Sequence, residues 1–393
     1  MVLFNMAKQI KDICDKSQCT GCSACFSACP TGAIEMRKDE WGFCHPIIDQ
    51  DKCIGCRMCI RSCQVCNPPS KNAPIDVFAA IAKEQHIYET STSGGFCTAI
   101  AKFFLENGGV VYGAALDENF VLRHLRISDI RDLYKIQGSK YVDSNLDKIY
   151  QFVESDIKTI KTLFIGTPCN VGGLLAYLGN RDKENLFTVS FVCGGVSSTK
   201  LLKESLGSRL NGLRKLEFRR GTKYALWLTY GDGKTTRLAM ETNPYMIGYC
   251  HKFMHRSSCF KCQYATNDRV GDITCGDFWG LKTGRFLNQT SKGVSVVIST
   301  TPKGQGLLTK TKDLFDSERH EFKETLEKNS RLSTPSEYTV KIDRFKRLYP
   351  RLGVNRSVVL SVGLSYWIFR LKKILWWDTI NRFSKGGFRL RIK

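Results

Sequence analysis

Residues 19–30 read CTGCSACFSACP, and residues 53–64 read CIGCRMCIRSCQ. Both carry the spacing C-x2-C-x2-C-x3-C, and the second run begins 34 residues after the first. Three thiolates this close in sequence can grip three corners of one cubane, while the fourth cysteine of each run reaches the other cluster. The spacing therefore predicts Cys19, Cys22, Cys25 and Cys63 around one [4Fe-4S] cluster, and Cys53, Cys56, Cys59 and Cys29 around a second. Zinc prefers two C-x2-C pairs separated by a longer loop, which these runs do not resemble. Gly21 and Gly55 keep the loops small enough to wrap a cluster. Pro30 follows the first run, but Gln64 stands at the matching place in the second; this weakens a turn and removes no ligand.

Working outward, the chain has 393 residues, 18 cysteines and a formal net charge of +22. At 42% hydrophobic and 24% charged it has the composition of a globular protein, which excludes wholesale disorder. The first residues, MVLFNMAKQIKD, hold no apolar run long enough for a secretory signal. A cysteine-rich chain without export is expected to bind metal or do redox chemistry in a reducing cytoplasm, not to be stapled by disulfides. Cys14, Cys44 and Cys66 are left over and read as small buried hydrophobes.

Two consecutive prolines, Pro68 and Pro69, mark a break after the cysteine runs. The expected fold class is α/β with α+β elements, in three parts. A small bacterial-type ferredoxin domain (1–70) precedes an α/β domain (71–335) with some antiparallel embellishment, and a basic, aromatic, helical C-terminal tail (336–393) follows. Residues 94–106 read as a helix stopped by Asn107-Gly108-Gly109, and Val110–Leu116 as a strand. Thr162–Gly166 and Leu186–Cys193 are apolar runs expected of strands buried on both faces, with helices near 171–178 and 199–206. Residues 214–240 read as an antiparallel meander turning at Gly231-Asp232-Gly233.

The middle of the chain carries short motifs, each weak alone. Thr92-Ser93-Gly94-Gly95 opens a helix, where free N–H groups at a positive dipole end can cradle a phosphate or simply cap the helix. Gln137-Gly138-Ser139-Lys140-Tyr141 offers a lysine beside a flexible loop. Gly166-Thr167-Pro168-Cys169 and Cys193-Gly194-Gly195 each place a cysteine just after an apolar strand, where ligands of open α/β sheets collect. Cys259-x2-Cys262 and Gly276-Asp277-Phe278-Trp279-Gly280 come later. His251, His255, Cys259 and Cys262 also have a spacing compatible with a two-His, two-Cys zinc site.

In this order, STSGG, QGSKY, GTPC, FVCGGV, CFKC and GDFWG resemble the family of coenzyme F-420 hydrogenase/dehydrogenase beta subunits, as does WGFCHPIID between the cysteine runs. The resemblance covers about residues 15–300 and implies a flavoenzyme that holds FAD, with a probable third [4Fe-4S] cluster. By position it assigns Thr92, Ser93, Gly94, Gly95, Gly138, Ser139, Lys140, Tyr141, Gly166, Thr167 and Pro168 to the flavin. It assigns Cys169, Cys193, Cys259 and Cys262 to the third cluster and leaves Cys275 spare in a strand. Lys140 would stabilise the reduced flavin ring. Where the family has a CHGVP-like segment, this chain has CGGVS, without the His and the Pro; no proton-transfer group is available at Gly194.

The implied activity is that of an iron–sulfur flavoprotein oxidoreductase. It would take electrons from a ferredoxin-like donor or a hydrogenase/dehydrogenase-type partner subunit and reduce an organic substrate or a deazaflavin coenzyme. A flavin suits that junction because it exchanges one electron with clusters and two with organic molecules. Two other readings are a non-catalytic electron-transfer subunit and an accessory enzyme of surface-polysaccharide biosynthesis at the membrane. No G-x-G-x-x-G nicotinamide fingerprint is present.

The charge gathers at the end. Residues 341–393 hold 14 Lys/Arg against two Asp/Glu. The apolar run Val358–Phe369 is too short to span a bilayer, which takes ~20 residues. With Trp367, Trp376 and Trp377 among basic residues, it reads as a helix lying on the inner face of a membrane or docking a partner; the alternative is a helix packed on the protein's own core. No nucleic-acid-binding fold accompanies the charge.

Overall fold

The computed structural model describes residues 10–363, 366 and 367. The two cysteine runs fold as near copies. Each opens with a left-handed glycine, Gly21 (φ 68°) or Gly55 (φ 67°), and turns into a short helix through a second left-handed residue, Ser23 (φ 60°) or Arg57 (φ 62°). The helices are Ala24–Ala28 and Met58–Arg61. Between them, β1 (Ile34–Lys38) and β2 (Cys44–Ile48) pair antiparallel.

Beyond the prolines the chain supplies β3 (Asp76–Ala82), β4 (Val110–Leu116), β5 (Leu122–Ile127), β6 (Thr162–Gly166) and β7 (Leu186–Phe191). It continues with β8 (Leu213–Arg220), β9 (Lys223–Tyr230), β10 (Thr235–Ala239), β11 (Ile273–Asp277), β12 (Ser295–Ser299) and β13 (Phe315–Arg319). Eight strands form one sheet in the order β13-β3-β12-β11-β7-β6-β4-β5. Its centre, β11, β7, β6 and β4, is parallel, and its strands are apolar on both sides because helices cover both faces. Strands β8, β9 and β10 make the expected meander as a separate antiparallel sheet.

Helix Phe96–Glu106 lies on one face of the large sheet, its Phe96, Ile100 and Phe104 buried with Leu163, Val189 and Val297. It begins two residues later than the sequence predicts. Gly94 is pinned between strands, and Gly95 (φ 86°) caps the helix in a left-handed conformation. Helices Ile149–Asp156 and Pro168–Leu178 cover the other face. That second core continues into the cysteine-run domain through Ala24 and Cys22, so the two share apolar surface.

The C-terminal segment starts as helix Val340–Val362, interrupted at Gly353 (φ 70°, ψ 177°) three residues after Pro350. It packs on the chain's own core: Ile342, Phe345, Val354, Val358 and Val362 are buried together with Leu201, Phe218, Tyr245 and Phe253. Trp41, from the turn between β1 and β2, stacks on Tyr349 at 4.7 Å. The start of the segment expected as a tail is thus a core element of the fold. Val358 and Val362, read above as part of an interfacial run, face inward, while Val359 and Leu360 stay exposed. Trp376, Trp377 and the last basic residues lie outside the described residues. Among the described residues no helix is long and apolar enough to cross a membrane.

Candidate functional site

Two small cavities lie inside the cysteine-run domain. Cys19, Cys22, Cys25 and Cys63 line one; Cys29, Cys53, Cys56 and Cys59 line the other. The repeated turns produce this exchange, because each fourth cysteine follows a short helix that carries it across to the opposite run. Four thiols around an otherwise apolar hollow fit a cubane, which supplies the positive charge that buried thiolates need.

The first cavity is the more elaborate. Cys14 also lines it, half-buried against the apolar cluster of Ile10, Ile13 and Ile34. The Cys14 thiol, with help from His45 and Arg256, holds Cys19 below the usual thiol range against burial. Arg256 is buried, and its Nε donates to the Cys19 carbonyl at 2.8 Å while Nη2 donates to the Cys44 carbonyl at 2.5 Å. His45 faces Asp39 at 3.2 Å.

Helix Pro168–Leu178 carries the next cysteine against this cavity. Gly173 leaves room for Cys22: a Cβ added at Gly173 would meet the Cys22 sulfur at 2.9 Å. Cys169, at the start of the same helix, hydrogen-bonds Thr167 through its sulfur at 3.1 Å. Burial and the neighbouring Cys193 push its thiol up to about 12, with Cys262 and Cys22 adding to the effect. Cys193 is driven up to about 12 by burial and Cys259, and Cys259 to about 12 by burial, Cys169 and Cys262. The four cysteines expected at a third cluster thus feel one another's charge, although they lie on three segments spanning 94 positions. Such a group is electrostatically costly as bare thiolates and becomes favourable around a cationic cluster.

The histidines of the alternative zinc set pack among aromatic rings, and the His255 ring also lies against Gly195, where an added Cβ would meet its Nδ1 at 2.5 Å. His251 stacks on Phe253 at 5.4 Å, and His255 packs edge-on to Tyr249 at 4.9 Å with both ring nitrogens unpartnered. Among the described residues no three His, Cys, Asp or Glu side chains converge closely enough to hold a single ion.

The segments expected at a flavin gather along one edge of the large sheet, where β4, β6, β7 and β11 end. Thr92 and Ser139 hydrogen-bond through their hydroxyls at 3.0 Å, joining the segment after β3 to the loop after β5. The Lys140 ammonium donates to the carbonyls of Ala114, Ile136 and Gln137 at 2.7–2.9 Å, so it ties that loop to β4; burial pushes it down to about 7. Thr167 caps helix Pro168–Leu178 through Asn170 in a reciprocal capping box. Tyr141 packs between Tyr224 (5.7 Å) and Tyr249 (4.9 Å), and Tyr249 donates to the Gly195 carbonyl at 2.9 Å, two residues from Cys193.

Sequence reasoning missed the group that holds this edge together. Arg219 of β8 forms a two-pronged ion pair with Asp277 at the end of β11, at 2.7 and 2.9 Å. It also donates to the Thr92 carbonyl and lies over the rings of Tyr224 and Trp279. Only GDFWG hinted at it, through Asp277 and Trp279; nothing in the β8 sequence singles out Arg219 among its basic neighbours.

Known families and proteins are similar to parts of this chain. Residues 18–67 match the 4Fe-4S dicluster domain, and residues 160–324 match the C terminus of the coenzyme F420 hydrogenase/dehydrogenase beta subunit. A component of the F(420)H(2) dehydrogenase of Methanosarcina mazei, its F subunit, is 20% identical over 298 residues, covering 70% of this chain and 81% of that protein. A chain of the F420-reducing [NiFe] hydrogenase complex from Methanosarcina barkeri is 19% identical, with a TM-score of 0.48 over 71% of this chain and 95% of that one. The paired cysteine runs and the two domain matches lead to one assignment: this chain is an iron–sulfur electron-transfer protein with an N-terminal 4Fe-4S domain, and its residues 160–324 are like the C terminus of the coenzyme F420 hydrogenase/dehydrogenase beta subunits.

Proposed function

We propose that the chain is an iron–sulfur flavoprotein oxidoreductase that carries electrons through three [4Fe-4S] clusters to FAD and on to an organic acceptor, a deazaflavin coenzyme being the class indicated by the name of the Methanosarcina mazei relative. One observation carries this reading: Cys22 of the first cavity packs against the helix that starts with Cys169, so two four-cysteine groups adjoin at the interface of the two domains.

Electrons would enter at the cavity of Cys29, Cys53, Cys56 and Cys59. There Cys56 is exposed and Ile54 projects at 62% exposure, with exposed Lys52, Arg57 and Arg61 close by in the chain and Lys52 paired to Asp49 at 3.1 Å. An exposed apolar side chain with cationic sequence neighbours suits an acidic ferredoxin-like donor or the partner subunit of a hydrogenase- or dehydrogenase-type complex. The cavity of Cys19, Cys22, Cys25 and Cys63 comes next, and then Cys169, Cys193, Cys259 and Cys262.

Bound FAD would supply the exchange between single electrons and a hydride. Thr92–Gly95, with free amides at the start of helix Phe96–Glu106, would face its phosphates. Gly138, Ser139 and Tyr141, with Gly166, Thr167 and Pro168, would line the rest. Lys140 would act by holding its loop to β4, since three carbonyls already occupy its ammonium.

Oxygen-free purification followed by iron, sulfide and flavin analysis tests the proposal. About twelve irons per chain and one FAD are expected; about eight irons without flavin would leave only the ferredoxin-like domain loaded and reject the rest.

A further inference from the structure

Two cysteines outside every cluster group meet inside the large sheet. Cys97 and Cys275 place their sulfurs 3.0 Å apart, although 178 positions separate them in the chain. Cys97 stands in the first turn of helix Phe96–Glu106 and is partly exposed. Cys275 is buried in the middle of β11, paired with Phe191 on one side and Val297 on the other. One partly exposed cysteine at a helix N-terminus and one buried cysteine beside it divide the roles of a redox pair: the first can be attacked or attack, and the second resolves.

We propose that Cys97 and Cys275 are a redox-active pair that closes reversibly to an intramolecular disulfide, with a small-molecule disulfide as oxidant and a dithiol as reductant. In the forward direction the Cys97 thiolate attacks one sulfur of the small disulfide. The S–S bond breaks, and the departing small thiolate takes up the proton that Cys97 released. Cys275 then loses its proton and attacks the Cys97 sulfur of the mixed disulfide, expelling the second small thiolate, which takes that proton. Two electrons have passed from the pair to the small disulfide, and two small thiols are released.

The location gives the bond a consequence. Cys97 follows Thr92 by five positions, and Cys275 precedes Asp277 by two. Arg219 already joins Thr92 to Asp277. Closing the Cys97–Cys275 bond completes a ring through Thr92, Arg219 and Asp277 and locks the edge where substrate and flavin would bind. The pair itself stands on its own geometry, independent of the flavin reading.

The test uses full-length, cluster-loaded protein treated without oxygen with oxidised glutathione, then alkylated and peptide-mapped by mass spectrometry. The expected product is a Cys97–Cys275 cross-linked peptide in near-stoichiometric yield, with iron content unchanged and full reversal by dithiothreitol. Cys275→Ser should retain glutathione on Cys97, trapping the mixed disulfide, while Cys97→Ser should lose both adduct and cross-link. Iron content reports folding of each variant. Alkylation of both Cys97 and Cys275 in the treated wild type, with glutathione only on exposed Cys66 or Cys250, would overturn the proposal, as would a Cys275→Ser protein that holds its iron but takes no glutathione at Cys97.

Discussion

Gln64 donates from its amide nitrogen to the Cys169 carbonyl at 2.6 Å, spanning 105 positions of sequence and joining the two cysteine-bearing domains. The same nitrogen donates to the Thr20 hydroxyl at 3.0 Å, and the amide oxygen accepts from the Tyr264 hydroxyl at 2.6 Å. Gln64 is fully buried, and every polar end of its side chain is used. Gln64→Leu keeps the volume and removes three partners. It should lower stability by ~1–3 kcal/mol, because buried polar groups lose their hydrogen bonds. It should also slow reduction of the cluster proposed at Cys169 while iron content stays constant. Freeze-quench EPR after dithionite mixing reads the rate; an unchanged rate would remove Gln64 from the coupling.

If electrons enter at the second cavity, as proposed, the exposed side chain of Ile54 is part of the docking surface. Ile54→Asp puts a negative charge there. Reduction by an acidic ferredoxin should fall about tenfold, the change expected from ~1.4 kcal/mol of lost association. Reduction by dithionite should be unaffected, since that reductant needs no docking surface. Equal slowing with both reductants would point to cluster damage instead.

Two glycines near the expected flavin segments should respond differently to alanine. At Gly94 an added Cβ would sit 2.1 Å from the Ala80 carbonyl oxygen and 2.6 Å from the Ser295 nitrogen, both backbone atoms that cannot turn aside. Gly94→Ala should cost about 3 kcal/mol or more and yield little folded protein. At Gly138 the space is open and only the left-handed backbone (φ 81°) is at issue, so Gly138→Ala should cost ~1–2 kcal/mol. Denaturant midpoints of the two variants measure the contrast.

His124 makes stability fall in mild acid. It is buried, stacks on Phe164 at 5.2 Å and bonds the Ser144 hydroxyl and the Ile165 carbonyl. Burial, with Lys140 nearby, depresses its pKa from 6.5 to about 4. The unfolded chain therefore takes up a proton that the folded chain refuses. The contribution is complete above pH 6.5 and is lost as pH falls from there to about 4, a change of roughly 3 kcal/mol. His124→Gln should lose that acid sensitivity. Denaturation of both proteins at pH 7 and pH 5 gives the comparison, and parallel losses in the two would refute it.

Two truncations test the C-terminal segment. A chain ending at Trp367 keeps helix Val340–Val362 and should retain its iron and melting temperature. A chain ending at Asp343 removes Phe345, Tyr349, Val354, Val358 and Val362 from the core and should aggregate. Residues 368–393 hold eight Lys/Arg against one Asp/Glu. If they bind anionic vesicles, the full chain should co-sediment with them and the chain ending at Trp367 should not; equal pelleting would remove the membrane role.

The sequence alone determined what local spacing and periodicity control. Two identical four-cysteine runs specify two identical turns, and the apolar runs at 110–116, 162–166 and 186–191 specify buried strands, because a few neighbouring residues contain all the information. Even the late start of helix Phe96–Glu106 is a shift of two positions, caused by packing at Gly94. Tertiary structure alone decided which distant groups share a space. Arg219 is one basic residue among many in β8 until the fold sets it against Asp277 and Thr92. Cys275 looked spare until Cys97 came to lie beside it, and Gln64 looked like a missing proline until its amide reached Cys169. The C-terminal segment read first as a membrane or partner-docking helix, with packing on the chain's own core as the alternative, and Trp41 and Phe253 decided for the alternative in its first part by burying it. Hydrogen bonds and sulfur contacts act over a few ångströms, whereas these partners lie tens to hundreds of residues apart, and only the folded chain brings them within that range.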